Sequence, residues 1–361
     1  MNRYKSAIRR SVCALGYLGI VCFLPVMAQE PDWSSVNATL VHQHVMPRYA
    51  SMAESSLQLQ QSLEAFCQMP TESNLVLAQT AYRHAMSDWQ AVQHIGFGPV
   101  TLFMRNYALQ YWPDRRNTTP NHLRAALADP EAVFDDTFFS SVGISLKGFP
   151  VIERVLFTEE GVSVFQEPRP ECRFIQGVST LVAKTADEIS SEWKIYSQTL
   201  LQLNEDTHYR TADEVATLFM KSWVEPVQVI LEQKIIAPLG DSQDKTRWQR
   251  SESWRSEQSI ENLRVNVKAL HHFYSLIGPF SVKDLLIEQE QKSLAQEIDD
   301  AFVSIITNLD ALPEVQETQV SLEQFEALST IAHDLSALQD LQGRAMQVLG
   351  IRLGFNSRDG D

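Results

Sequence analysis

Apolar residues recur along most of the chain at the helical spacing of about 3.6 residues, and that rhythm predicts an all-α protein. Ala81, Met86, Trp89 and Val92, with Leu75 and Leu77 upstream, mark a stripe over 73–94. Ile175, Val178, Leu181, Val182, Ile189, Trp193, Tyr196 and Leu200 carry a longer one. Leu285, Leu294, Ile298, Phe302, Ile305 and Leu309 read as one continuous stripe. Phe325, Leu328, Ile331, Leu335, Leu338, Leu341, Ala345 and Val348 form the last. Thr211 with Glu214, Ser281 with Asp284, and Ser321 with Gln324 have capping-box spacing ahead of apolar runs. No segment alternates with period two for long, and hairpin dipeptides between β-branched runs are absent.

Helix breakers divide this pattern. Gly96-Phe97-Gly98-Pro99 ends the helix around Trp89 and starts a short one through Tyr107, which Trp112-Pro113-Asp114 closes. A short helix is expected around His122–Ala128. Gly148-Phe149-Pro150 launches another, carrying Glu153, before Glu167-Pro168-Arg169-Pro170. Asn204–Tyr209 is polar and weakly patterned. These breaks predict two helical-bundle lobes, 29–205 and 206–361, with a cleft between them.

The first residues bear on compartment. Arg3, Lys5, Arg9 and Arg10 precede an apolar run, Val12–Val26, and no acidic residue occurs before Glu30. The run is short for a bilayer span, and Val26-Met27-Ala28 suits a signal peptidase, so 1–28 reads as a signal peptide. Cys22 lies inside the run, but lipid attachment favours a small residue before the cysteine, and Val21 is bulky. The expected location is therefore the periplasm, free or associated with the outer membrane, rather than a lipid anchor. Removing the four basic charges takes the formal net charge from −15 to −15 − 4, or about −19. Such a surface repels nucleic acid and anionic headgroups. Cys67 and Cys172 remain after cleavage, and an even number in an oxidising compartment favours a disulfide over two buried thiols.

Chemistry is thinly signposted. No histidine is followed by glutamate, so the HExxH zinc helix is absent, as are CxxC, phosphate loops and nucleophile elbows. His84 and Asp88 lie four apart and share a helix face, but two ligands are fewer than zinc needs. His42 and His44 read as incidental, and adjacent His271 and His272 point to different sides of a helix. Polar residues beside breakers stand out more: Arg105, Trp112, Asp114, Arg115 and Arg116, then Ser253, Arg255 and Glu257.

At these residues the chain resembles the imelysin family of bacterial envelope proteins. The resemblance rests on segments in order: Trp89 with Gly96-Phe97-Gly98-Pro99, Tyr111-Trp112-Pro113-Asp114, and Gly148-Phe149-Pro150-Val151-Ile152-Glu153. It continues through Cys172-Arg173, Trp254-Arg255-Ser256-Glu257-Gln258-Ser259, and Leu349-Gly350-Ile351 to Gly354-Phe355-Asn356 with Asp359-Gly360-Asp361. It implies an all-helical fold of two bundle lobes and a link to iron uptake. It also implies a G-x-H-x-x-E motif holding a metal, on which a metallopeptidase reading of some members rests.

Here Gly148 and Glu153 are kept, but Pro150 replaces the histidine and offers no donor atom. Iron or another divalent metal is thus not expected through Pro150, and no cofactor is assigned. The reading that follows is a non-enzymatic envelope protein binding a small polar ligand, or iron-uptake components of the envelope, in the cleft. Arg105, Trp112, Glu153, Arg255 and Glu257 are its expected contacts, with Arg105 and Arg255 forking a carboxylate and Trp112 forming a flat wall. The alternatives are a metal-dependent peptidase using His84, Asp88 or His94, and a purely structural envelope protein.

Overall fold

The computed structural model describes residues 30–165, 170–204, 208–278, 280–316 and 318–353. The signal-peptide segment 1–28 lies outside them. So do most of the 167–170 turn, the 205/206 boundary and the terminal 354–361 motif. Among the described residues every regular element is helical, as the periodicity predicts.

The chain enters α1 (Trp33–Thr39), passes through a π-helical turn at Leu40–Val45 and continues into α2 (Met46–Gln68). Later α9 (Ala212–Val229) runs through a second π turn, Ile230–Ile236, into α10 (Ala237–Leu239). Each turn stands just before a proline, Pro47 or Pro238. Proline lacks the N–H that the carbonyl four residues back would accept, and its ring crowds that carbonyl. The ladder widens instead, so Met46 N–H reaches the Val41 carbonyl and Ala237 N–H reaches that of Glu232. Such a bulge shifts side chains out of ordinary helical register. The displaced residues include His44 and Lys234, both buried.

α2 packs along α3 (Glu72–Val92) and α8 (Pro170–Leu201). The Cys67–Cys172 disulfide ties the end of α2 to the start of α8 across 105 residues of sequence. In the chain-entropy account a loop of that size is worth about 4–5 kcal/mol. Trp193 on α8 is fully buried, stacked on Tyr49 at 5.6 Å and edge-on to Phe97 at 5.7 Å between ring centroids. Gly98, at φ +74, passes so close that a Cβ there would lie 2.7 Å from the Tyr196 ring.

Short helices fill the next stretch: α4 (Arg105–Leu109), α5 (Thr118–Leu127), α6 (Asp136–Ser141) and α7 (Phe149–Leu156). The later part of the chain adds α11 (Ser259–Tyr274), α12 (Val282–Glu288), α13 (Lys292–Ala311) and α14 (Leu322–Val348). α11 packs on both α13 and α3, while α14 covers α13 and α9. The stripe read as continuous from Leu285 to Leu309 is two helices. Glu288-Gln289-Glu290-Gln291 offers no apolar side chain to bury, and Glu290 turns left-handed at φ +60.

Ser281 with Asp284 and Ser321 with Gln324 form complete capping boxes. Thr211 accepts from the Glu214 N–H at 3.4 Å, but the Glu214 carboxylate takes the Arg210 N–H at 2.8 Å rather than closing on Thr211. No helix among the described residues is long and apolar enough to cross a membrane.

Candidate functional site

Gly148 caps α7 at φ +76, and a Cβ there would stand 2.1 Å from the Leu109 carbonyl oxygen and 2.4 Å from that of Ala108. Only a residue without a side chain lets the start of α7 lie against the end of α4. Pro150 follows in the first turn, where a missing N–H costs nothing because no intrahelical acceptor exists for it. One turn on, Glu153 points inward and is buried. Its Oε1 accepts the Ser256 N–H at 3.0 Å and the Ser256 hydroxyl at 2.9 Å. Burial raises the Glu153 carboxyl above its ordinary pKa, and the two Ser256 bonds work against that rise.

Beside this turn lies a cavity of about 570 Å³, lined by residues from both halves of the chain. Trp112, Pro150 and Glu153 face it from the first half, Glu252, Trp254 and Arg255 from the second. The Trp112–Pro113 peptide bond at its wall is cis. Three carboxylates line the cavity, and all three are engaged by the protein itself. Asp114 caps α5, accepting the N–H groups of Thr118 and Thr119 at 2.9 and 2.7 Å. Burial pushes its carboxyl up, and those bonds more than offset the rise. Glu252 accepts Lys234 Nζ at 2.8 Å on one oxygen and Gln110 Nε2 at 2.7 Å on the other. Glu153 is held by Ser256 as above.

The cavity's four arginines, Arg115, Arg154, Arg250 and Arg255, contrast with these acids. None of their guanidiniums makes a hydrogen bond or salt bridge among the described residues. The Arg255 guanidinium carbon lies over the Trp254 ring, 4.1 Å from its centroid. Burial and then repulsion from Arg154 bring its guanidinium down to about 10. Arg154 is depressed too, by burial, with Glu153 and Asp114 supplying only partial compensation.

A divalent metal does not fit this wall. Pro150 has no donor atom, Asp114 and Glu252 are engaged at both oxygens, Glu153 keeps a single oxygen without a partner, and the four guanidiniums repel a cation. No group of three metal-ligating side chains converges elsewhere among the described residues. His84 is exposed and makes no hydrogen bond or ion pair with Asp88, while His94 belongs to a different cluster.

Of the residues singled out from sequence, Trp112, Glu153 and Arg255 come together at the cavity, with Pro150 beside them and Gly148 beneath the turn. Arg105 and Glu257 do not line it. Arg105 does fork a carboxylate, but one of the chain's own: it donates to both Glu192 oxygens at 2.6 and 2.9 Å and to Glu188 at 3.0 Å. It thereby pins α4 to α8. Glu257, in a left-handed turn at φ +55, accepts Gln316 Nε2 at 3.3 Å instead.

Two buried clusters were not legible from the chain. Lys234 places Nζ within hydrogen-bond reach of Gln90, Gln93, Glu252 and Asn266, at 2.8, 3.0, 2.8 and 2.7 Å. Gln110 extends this network, accepting from Trp89 Nε1 and from Gln93 Nε2. Gln110, Trp112 and Glu252 also line a second cavity, of about 420 Å³. The other cluster corrects the reading of His44 as incidental. Its Nε2 lies 2.8 Å from His94 Nε2, and its Nδ1 lies 3.0 Å from His272 Nδ1. The imidazoles form a chain from exposed His272 through buried His44 to His94 on the wall of the second cavity. Pro47, three residues after His44, and Pro238, four after Lys234, are the sequence signals that mark the two π turns.

The fold and site define a helical-bundle protein with an arginine-walled cavity beside the Gly-Phe-Pro-x-x-Glu turn. The imelysin family profile matches residues 45–342, and the chain belongs to that family. It is 28% identical over 332 residues to iron-regulated protein A of Synechococcus elongatus, covering 87% of this chain and 86% of that one. An imelysin-like protein from Psychrobacter arcticum 273-4 superposes with a TM-score of 0.74 at 16% identity, covering 90% of this chain and 97% of that one. A structure titled as a candidate iron-regulated protein A precursor from Parabacteroides distasonis gives 0.73 at 17% identity, with 89% and 96% covered. At such identities these two structures speak to the fold alone.

Proposed function

We propose that this chain is an exported, non-enzymatic protein of the cell envelope that serves iron acquisition by binding a small polar ligand in the cavity beside α7. In this reading residues 1–28 are removed on export to the periplasm, and lobes 29–205 and 206–361 each contribute walls to the site. The link to iron comes from the name of a relative, iron-regulated protein A of Synechococcus elongatus. The observation that carries the binding role is the wall itself: Trp112, Glu153 and Arg255 meet there among four guanidiniums, and of the lining carboxylates only Glu153 keeps an oxygen without a donor.

A peptidase reading needs an activated water, which in this family a metal would supply. The wall's four guanidiniums, with one oxygen of Glu153 as its single unbonded carboxylate oxygen, do not support one. Elemental analysis with native mass spectrometry, on protein taken from the periplasm, tests the proposal. A retained small organic molecule, released by Trp112→Ala, is the expected result. Stoichiometric tightly held transition metal beside α7, with chelator-sensitive proteolysis, would overturn it.

A further inference from the structure

The sum of charges around the cavity specifies the ligand more closely. Four guanidiniums line it, and Glu252 is balanced by Lys234 at 2.8 Å. Counting Asp114 and Glu153 as ionised leaves 4 − 2, a net +2 on the wall. This occurs in a protein whose formal charge is −15, so the local sign opposes the global one. Half-buried arginines with no hydrogen-bonding partner are an unusual arrangement. Desolvation works against both Arg154 and Arg255, and Arg154 also repels Arg255; Glu153 and Asp114 offset this only in part, with no hydrogen bond or salt bridge to either guanidinium.

We infer that the cavity binds a small oxyanion carrying at least two negative charges, held chiefly by Arg154 and Arg255. This rests on the ligand-binding reading above and adds the chemical class. Guanidinium is the group suited to forked, charge-assisted hydrogen bonds with carboxylate or phosphate oxygens. The Trp254 ring lies under the Arg255 guanidinium and orients it, so less freedom is lost on binding. Arg115 and Arg250, both exposed, add field at the same wall. Ser256 holds Glu153 on one oxygen, which limits its repulsion toward an entering anion. The apolar faces of Trp112 and Trp254 accommodate a carbon skeleton, and polycarboxylates and phosphates share the oxygen chemistry the arginines recognise.

Isothermal titration calorimetry at low ionic strength, with citrate in one arm and pyrophosphate in the other, tests this on the mature chain. Expected is saturable one-to-one binding of at least one probe, with affinity falling roughly tenfold or more in Arg154→Gln/Arg255→Gln. The better-bound probe distinguishes carboxylate from phosphate recognition. The thermal midpoint of the unliganded double variant should equal or exceed that of the parent, which separates lost binding from lost folding. Flat titrations with both probes, or equal binding by parent and double variant, would overturn the inference. Flat titrations alongside a retained uncharged molecule in native mass spectra would do so while leaving the ligand-binding reading intact.

Discussion

Two charged regions lie close together in this molecule and are built on opposite terms. Around Lys234 every charge has an answer: one ammonium, one carboxylate and a shell of amide oxygens, all buried except half-buried Gln93. Across Glu252, on the cavity side, guanidiniums stand without hydrogen-bonding partners. Matched charge in a low-dielectric interior fixes the packing of the elements that carry it. Unmatched charge does nothing for the fold and leaves something for a ligand to complete. The shared wall means that the rigid region backs the incomplete one.

The sharpest way to break the comparison is at its matched side. Lys234→Met removes the ammonium and leaves Glu252 buried with no cation, which should cost about 3–5 kcal/mol in urea unfolding. A loss under about 1 kcal/mol would mean that the network is not a unit. Adding Glu252→Gln to that variant should recover part of the loss, because the stranded charge goes with it.

Acid should act next, through the imidazole chain, which is matched only while neutral. Burial depresses His44 far below 6.5, takes His94 to about 3 and takes half-exposed His272 to about 4, with nearby Arg48 adding repulsion. Above pH 6.5 folded and unfolded chains both hold these rings neutral, so the stability is fully present. Below it the unfolded chain takes up protons first, and stability drains between 6.5 and about 3, by a total on the order of a few kcal/mol. Urea midpoints at pH 7 and pH 5.5 should already differ in this direction. His94→Gln should flatten the slope, and an unchanged slope would remove the chain as its cause.

Smaller effects sharpen the contrast. Arg105→Gln should lose about 1–2 kcal/mol, since it breaks the forked contact with Glu192, whose carboxylate is partly exposed. Arg255→Gln should leave unliganded stability within about 1 kcal/mol of the parent, and on the stabilising side. Thermal melts of the pair check both, and a clear loss for Arg255→Gln would show that its guanidinium already has a structural partner.

Much of the fold was legible because helical periodicity and capping are local. The stripe through Trp89, the long run ending at Leu200 and the box at Ser321 each depend on residues within a few turns of one another. The stripe through Leu285 misled because spacing alone does not show that Glu288–Gln291 contribute nothing to bury. Trp112 and Arg255 were legible as residues beside breakers, where backbone turns bring polar groups to cavities, and Glu153 through the motif of the family that the chain resembles. Arg105 shared that setting but met Glu192 on a helix distant in sequence, and local pattern says nothing about such a partner. The Lys234 network and the His44 chain were hidden for the same reason, being assembled from helices far apart in the chain.

Pro150 has a consequence reaching past this one protein. The turn that carries it is set by Gly148 against the α4 carbonyls and needs nothing from the proline ring. Imidazole at position 150 would therefore sit on the same scaffold, one turn ahead of a carboxylate whose second oxygen has no hydrogen-bond donor. Gain of a chelating side chain here would be a change of cargo rather than of architecture. A single exchange at one helical turn would move such a protein between charge preferences, provided the arginines opposite were withdrawn as well.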